Sequence, residues 1–310
     1  MKRAFVAGLL LSGGLLGPAA VPARAQGADP RMMAVGDNVG LLFIFVVDGQ
    51  QHSFAFGGED DRITLLDTRA PGSSNVIANK VAQGAEGDIV RIILTNARGG
   101  ASIGEYTDAT EIVAHEKTKA AMAAMNAFKG ANAKFLPNKT FTDTLSFTVK
   151  TVGEGEGTNR IDLHYFGPGS TAGDTVVVFP SLNTVVLGDL FPGKMTPVID
   201  SALGGSGVAI ADTVAKAVTA LKAVQPPIKF VMGSRQLPPP GPYVPRWFSM
   251  TDLQEYADFA RAFVDAARAA KTEGKSAEQA VATLGLPERF KNYRLDHARA
   301  WVEAIYAELK

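Results

Sequence analysis

Short apolar runs that alternate with helical segments constrain the fold of this chain more than any other feature. Each run is bounded by turn residues and is rich in β-branched and aromatic side chains, which predicts strands. Segments with apolar residues at helical spacing lie between several of the runs and predict helices. The predicted strands cover residues 41–47, 52–56, 63–67, 88–95, 111–114, 140–152, 160–166, 174–179, 183–187 and 228–232. A first helix is predicted to be capped by Ser73 or Ser74 and to run through Val81, and two more cover 116–128 and 208–224. Because strands and helices interleave, we expect an α/β domain.

The composition changes after a proline-rich segment, and residues 246–310 are predicted to form a helical extension. A long helix is predicted to be capped by Thr251, a shorter one begins at Ser276, and a third covers 296–309. About sixty residues of helix rarely fold alone, so we expect the extension to pack on the main domain, 37–245. The first of these helices has an apolar stripe that must be buried, by packing on this domain or, as the second option, in a homodimer.

The first 25 residues have the pattern of a cleavable export signal. Lys2 and Arg3 precede an apolar run over 5–16, and Ala-Arg-Ala at 23–25 has the small residues of a cleavage site. The apolar run is too short to span a bilayer. We therefore expect removal of 1–25, a flexible leader over 26–36, and an exported, periplasmic protein whose mature form has no membrane-spanning segment.

Charge and cysteine content exclude several classes of function. The chain has 31 basic and 31 acidic residues, and removal of the signal takes away three basic residues, which leaves 28 against 31. This balance does not fit a nucleic-acid-binding protein, which needs a concentrated basic face. The chain has no cysteine, so thiol nucleophiles, thiolate metal sites and disulfides are excluded. A chain of this length can be stabilised by its core alone.

Four stretches carry a resemblance to a known family. They are Leu-Asp-Thr at 66–68, the segment from Leu-Thr-Asn at 94–96 to Ile-Val-Ala-His-Glu at 112–116, Phe-Gly-Pro-Gly-Ser-Thr-Ala-Gly-Asp-Thr-Val at 166–176, and Val-Leu-Gly-Asp-Leu-Phe at 186–191. In this order, over about residues 37–300, the chain resembles the metallo-β-lactamase (MBL) fold superfamily. More narrowly, it is similar to exported MBL-fold hydrolases with a helical C-terminal tail. The resemblance implies a four-layer αββα sandwich with a helical C-terminal extension.

The same resemblance implies that the zinc site of the family is degenerate here. In the family a strand ends in Thr-His-x-His-x-Asp-His, and later turns supply a histidine, a bridging aspartate and a last histidine to two zinc ions. The positions of this chain that match those ligands are Asn96, Arg98, Gly100, Ala101, Ser170, Asp189 and Ser234. Only Asp189 keeps a residue type that the family uses as a ligand. These seven are therefore interpreted as vestigial metal-site positions.

A single carboxylate cannot hold zinc, which needs three or four converging ligands. We therefore expect no zinc, no other cofactor and no catalytic residue in the family's sense. A lone buried carboxylate is costly unless it is paired. The sequence thus predicts that Asp189 forms an ion pair with Arg98, or accepts a hydrogen bond from Asn96 or Ser170, where the metals would have been.

His115 and His164 are the auxiliary candidates for a relocated site. Each lies in or at the end of a predicted strand, where a hydrogen-bonded structural histidine is favoured over a ligand because zinc needs three. A serine nucleophile at Ser170 or Ser234 would need a neighbouring base, and the sequence places no histidine beside either.

These observations favour a non-catalytic, pseudoenzyme MBL-fold protein that binds a small molecule or a protein partner. One alternative is a hydrolase that acts on an ester or amide through a non-standard metal site or none. The other is a structural or assembly role through the helical tail.

Overall fold

The structure is a computed structural model. It describes residues 31–34, 42–47, 51–57, 62–69, 71–72, 74–84, 88–150, 158–233 and 247–309. The predicted export signal at 1–25 and the vestigial position Ser234 lie outside the described residues.

The first sheet has seven strands, and neighbours along the chain are neighbours in the sheet. Its strands are β1 (Arg31–Ala34), β2 (Leu42–Val47), β3 (Gln51–Gly57), β4 (Arg62–Leu66), β5 (Asp88–Ile93), β6 (Glu111–His115) and β7 (Lys139–Phe141). Strands β1 to β4 pair antiparallel, whereas β4, β5, β6 and β7 pair parallel. The carboxyl ends of β4, β5 and β6 therefore meet at one edge of this sheet.

The second sheet has five strands in the order β12-β11-β10-β9-β8. They are β8 (Thr144–Lys150), β9 (Thr158–Tyr165), β10 (Thr175–Phe179), β11 (Thr184–Val186) and β12 (Phe230–Met232). The predicted hairpin is present as the antiparallel pair β10 and β11, and β12 runs parallel to β11.

The described residues form six α-helices, which lie outside the two sheets. They are α1 (Ser74–Gly84), α2 (Glu116–Ala124), α3 (Ile210–Lys222), α4 (Met250–Thr272), α5 (Ala277–Ala282) and α6 (Ala298–Glu308). Among the described residues, no helix combines the length and the apolarity that a bilayer crossing requires.

Three apolar clusters separate four layers. Phe54 and Ile93 of the first sheet meet Leu163 and Phe179 of the second between the sheets. Helices α1 and α2 pack on the outer face of the first sheet, where Met122 lies in a second cluster. Helices α3, α4 and α6 cover the second sheet. The order helix, sheet, sheet, helix confirms the predicted αββα sandwich.

Three local predictions differ from the structure. Residues 31–34, expected in a flexible leader, form β1, because their backbone groups pair with β2. The predicted strand 140–152 is divided at Thr142 and Asp143, which are exposed, so that β7 joins the first sheet and β8 the second. The predicted helix 116–128 ends at Ala124, and a short 3-10 turn follows it.

The long tail helix α4 is not capped by Thr251, the residue that the sequence predicts as its cap. Ser249 is the cap: its hydroxyl accepts the backbone N–H of Asp252 at 3.2 Å, and the Asp252 carboxylate accepts the backbone N–H of Ser249 at 2.9 Å. This reciprocal pair satisfies two N–H groups that a helix start would otherwise leave without partners, and Thr251 cannot form it from inside the first turn.

The helical extension packs on the second sheet within the same chain. Phe263 of α4 and Trp301 of α6 stack with their ring centroids 4.0 Å apart, and the Trp301 indole N–H donates to the carbonyl of Gly207 at 2.9 Å. The apolar stripe of α4 is buried in the cluster that also contains α3. The stripe therefore does not offer a surface for a second copy of the chain.

Candidate functional site

A cluster of buried polar side chains lies where the two sheets meet at the carboxyl ends of β4 and β5. The segment 67–69 follows β4, and the segment 95–98 follows β5. Ser170 and Asp174 come from the connection between β9 and β10, and Asp189 lies in a turn after β11. Because β4 and β5 are parallel neighbours, the residues that follow them reach the same edge. Both sheets thus contribute to one cluster.

Asn96 occupies the centre of this cluster and is fully buried. Its Nδ2 donates to Asp189 Oδ2 at 2.9 Å and to Asp174 Oδ1 at 3.2 Å. Its Oδ1 accepts the backbone N–H groups of Arg98 at 3.0 Å and Gly99 at 3.2 Å. All four hydrogen-bonding positions of the amide are used, which fixes its orientation. The Asn96 side chain also caps the 3-10 turn Ala97–Gly100.

Arg98 forms the predicted ion pair with Asp189. Its Nε donates to Asp189 Oδ2 at 3.1 Å, and its Nη2 lies 3.0 Å from the same oxygen. Nη2 also donates to Ser170 Oγ, and Nη1 lies 3.7 Å from Asp200 Oδ2. The Arg98 side chain is 15% exposed, so this guanidinium forms the solvent-facing side of the cluster. The predictions for Arg98 and Asn96 at Asp189 are both confirmed.

Arg69 is a second guanidinium at the same carboxylate, and no motif of the sequence indicated it. Nη1 donates to Asp189 Oδ2 at 3.2 Å, Nε to Asp67 Oδ2 at 2.9 Å, and Nη2 to Thr95 Oγ1 at 3.2 Å. The side chain is only 2% exposed. Burial alone would lower the pKa of Arg69, but the charges of Asp189 and Asp67 outweigh it and raise the pKa above its usual value. Arg69 is therefore a buried cation at neutral pH.

Asp67 is held in an uncommon backbone conformation beside Arg69. Its φ is 57°, in the left-handed region that costs most residues about 1 kcal/mol. The Asp67 carboxylate accepts the backbone N–H and the hydroxyl of Thr95, both at 2.7 Å. A Cβ at Gly99 would lie 2.1 Å from Asp67 Oδ1, so only glycine permits this approach of the loop after β5. These contacts lock the segment after β4 onto the segment after β5.

Asp174 is the second carboxylate that Asn96 contacts, and it is 1% exposed. Oδ2 accepts the backbone N–H of Thr171 at 2.8 Å, and Oδ1 accepts the Thr171 hydroxyl at 3.0 Å. Burial raises the pKa of Asp174, the Thr171 N–H opposes this, and the charge of Asp189 raises it further, to about 7. Asp174 therefore changes its protonation state near neutral pH.

The other vestigial positions are placed differently from Asn96, Arg98 and Asp189. Ser170 is fully buried, and its hydroxyl donates to the carbonyl of Val198. Gly100 faces Met122 of α2, and Ala101 is exposed. The structure therefore brings Ser170 into the cluster and directs Gly100 and Ala101 elsewhere.

The two auxiliary histidines contact backbone groups or aromatic rings. His115 Nε2 lies 2.7 Å from the carbonyl of Thr142, and Nδ1 accepts the backbone N–H of Lys117 at 3.2 Å. Its ring stacks on Tyr165 with the ring centroids 3.8 Å apart. His164 stacks on Phe166 with the ring centroids 5.8 Å apart. Burial lowers the pKa of both histidines. Both ring nitrogens of His115 are engaged by backbone groups, which leaves neither for a metal ion.

The residues present do not fit the zinc ions that the resemblance implies. In the part of the chain that the structure describes, no three His, Asp or Glu side chains converge as a metal-binding group. The groups that contact Asp189 include the Asn96 amide and the guanidinium ions of Arg69 and Arg98, all of which donate hydrogen bonds to it, and the two guanidinium ions repel a dication. A catalytic zinc site needs three protein ligands and an open position for water.

Comparison with solved structures identifies the fold. The chain is similar to a metallo-β-lactamase from Pontibacter korlensis, with a TM-score of 0.52 and 17% identity over 75% of this chain and 99% of that one. A metallo-β-lactamase from Hirschia baltica is similar with a TM-score of 0.51 and 14% identity, over 74% of this chain and 97% of that one. The stereoselective inverting sec-alkylsulfatase Pisa1 from Pseudomonas sp. is similar with a TM-score of 0.62 and 12% identity, over 90% of this chain and 50% of that one. This chain therefore spans about half the length of the alkylsulfatase.

No protein-family model and no curated protein matches the sequence. The structural likeness shows that the chain has the metallo-β-lactamase fold.

Proposed function

We propose that this chain is a catalytically silent, exported MBL-fold protein that uses its cleft to bind a small molecule or a protein partner. The observation that carries the proposal is the set of partners around Asp189. Asn96, Arg98 and Arg69 all donate to the Oδ2 atom of that carboxylate, at 2.9 to 3.2 Å. A metal ion at this carboxylate would compete with these donors and be repelled by the two guanidinium ions among them.

The chemistry of the cleft supports a binding role over hydrolysis. Zinc in hydrolases lowers the pKa of a bound water to about 7 and so generates the nucleophile. Among the described residues, the hydrogen bonds of Ser170 Oγ are with Arg98 and the carbonyl of Val198, neither of which can act as the base that a serine nucleophile needs. Two charged side chains beside Ser170 are partly exposed, Arg98 at 15% and Asp200 at 28%. A guanidinium beside a carboxylate favours a polar ligand that both donates and accepts hydrogen bonds.

Metal content and hydrolysis of the purified full-length protein test this proposal. After incubation with zinc chloride and dialysis, we expect zinc well below one ion per chain by plasma mass spectrometry. We also expect no hydrolysis of a generic ester or β-lactam above the rate of Asp189→Asn, which keeps the shape of the side chain and removes its charge. Stoichiometric zinc, or hydrolysis that Asp189→Asn abolishes, would establish the hydrolase alternative instead.

The assembly alternative has less support from the described residues. The apolar stripe of α4 is buried within the chain, and among those residues Leu295 is the one exposed large hydrophobic side chain. Light scattering after gel filtration measures the oligomeric state directly. A stable dimer that Leu295→Asp disrupts would support assembly through the tail.

A further inference from the structure

The loss of the metal ligands does not by itself explain why a second cation, Arg69, lies at Asp189. Asp189 already has Arg98 and Asn96 as partners. Arg69 nevertheless reaches the same Oδ2 atom at 3.2 Å, and only 2% of its side chain is exposed. Burial of a guanidinium carries a large desolvation penalty that only well-placed partners offset. A second buried cation at one carboxylate therefore needs an explanation of its own.

We propose that Arg69 and Arg98 together take the place of a divalent cation at Asp189. They supply its charge, hold the carboxylates of both sheets together and keep metal ions out of the cleft. The inference rests on the proposed function in one respect, because both require that the wild-type cleft does not bind zinc.

The geometry fits this substitution. Two guanidinium ions carry the charge of one dication, and both donate to Asp189 Oδ2, at 3.2 Å from Arg69 and 3.1 Å from Arg98. Arg69 also contacts Asp67 at 2.9 Å. Asp67 follows β4 of the first sheet and Asp189 follows β11 of the second. The bridge through Arg69 therefore links the two sheets, as a metal ion shared by two carboxylates would.

The same geometry explains the exclusion of metal ions. A dication that bound either oxygen of Asp189 would lie close to both guanidinium ions at Oδ2, which would repel it unless they were displaced. Arginine does not lose its proton in proteins, so each displaced group would stay charged. Arg69 would then be a buried charge with one carboxylate fewer, which is strongly destabilising.

The test exchanges the cations. In Arg69→Met/Arg98→Met, the carboxyl groups of Asp67 and Asp189 remain and both guanidinium partners are lost. We expect this variant to be less stable than wild type and to be stabilised by millimolar manganese or zinc chloride at matched ionic strength. The expected gain is about a tenfold decrease in its unfolding equilibrium constant, as for a ligand at roughly ten times its Kd. Wild type should change less than about twofold under the same conditions.

Two single variants keep the test decisive if the double variant does not fold. Arg69→Lys retains the charge, whereas Arg69→Met retains much of the volume without it. If the charge is what matters, Arg69→Lys has an unfolding equilibrium constant at least about tenfold lower than Arg69→Met. Equal stability of the two variants, or a more stable Arg69→Met, would overturn the proposal. An equal response to manganese in wild type and variants would also overturn it.

The outcomes separate this inference from the proposed function. Wild type that hydrolyses an ester in the presence of a chelator would refute the silent role and leave the cation exchange intact. Variants that do not respond to divalent cations would refute the cation exchange, whatever the hydrolysis assays give.

Discussion

Replacement of Asp174 by asparagine is expected to change how the stability of the protein depends on pH. Asp174 is buried, and its pKa is raised from 3.8 to about 7, first by burial and then by the charge of Asp189. The folded protein therefore holds a proton that the unfolded chain releases at lower pH. The stabilisation from this proton is complete below pH 3.8 and is lost as the pH rises towards 7.

The size of the effect follows from the shift. Each pKa unit corresponds to about 1.4 kcal/mol, so a shift of about three units corresponds to about 4 kcal/mol over the full pH range. Between pH 5 and pH 8 the folded protein loses about 3 kcal/mol of this stabilisation. Asp174→Asn cannot ionise and has no such loss. We therefore expect it to gain about 3 kcal/mol on wild type across this interval.

Urea unfolding followed by circular dichroism measures the free energy of unfolding at each pH. The contributions of His115 and His164 are present in both proteins and cancel in the difference. Asp108→Asn, at an exposed carboxylate in the turn before β6, controls for the loss of one negative charge. A difference between wild type and Asp174→Asn that stays constant or reverses its sign from pH 5 to pH 8 would refute the argument.

Two further predictions concern packing. Gly99→Ala brings a Cβ to 2.1 Å from Asp67 Oδ1 and should lower the free energy of unfolding by about 2 kcal/mol. Gly285→Ala is the control, because a Cβ there has nothing within 4 Å, and its melting temperature should lie within about 1 °C of wild type. Equal melting temperatures for the two variants would contradict the close approach. Trp301→Ala removes a fully buried indole and should cost about 4 kcal/mol in urea unfolding, whereas Leu295→Ala, at a site that is 39% exposed, should cost less than about 1 kcal/mol. A Trp301→Ala protein as stable as Leu295→Ala would show that the tail contributes little to the fold.

The strands and helices could be predicted because they follow from local periodicity, whereas their arrangement in four layers was implied by the resemblance. The runs that became β4, β5, β10 and β11 are short and apolar, and the helices between them have helical spacing. The division between β7 and β8 could not be predicted, because both halves of 140–152 have strand character and the change of sheet depends on which neighbours pair. Two polar residues at 142 and 143 were the only sign of it.

The cluster was predicted only where the resemblance supplied a position. Asn96, Arg98, Ser170 and Asp189 stand at positions that the resemblance matches to the family's ligands, and the structure brings all four together. Arg69 does not stand at one, and 120 residues separate it from Asp189. A signal existed, since Arg69 follows a predicted strand that could lie beside the one before Asn96. The parallel pairing that joins their ends is a property of the tertiary structure.

Asp174 was missed for a different reason. It was assigned to a strand, and a carboxylate at a strand end usually faces solvent. Its burial results from the contact of the β9–β10 connection with Asn96, which forms only when both sheets are in place. A raised pKa of this kind cannot be read from a linear sequence.

The links from Arg69 to Asp189 also bear on the order of events in folding. They join residues 120 positions apart, so the entropy of closing a long loop has to be overcome before they form. We expect these contacts to be absent from the transition state, so that Arg69→Met accelerates unfolding and leaves the refolding rate nearly unchanged. Stopped-flow kinetics that show slower refolding would instead place this junction in the folding nucleus.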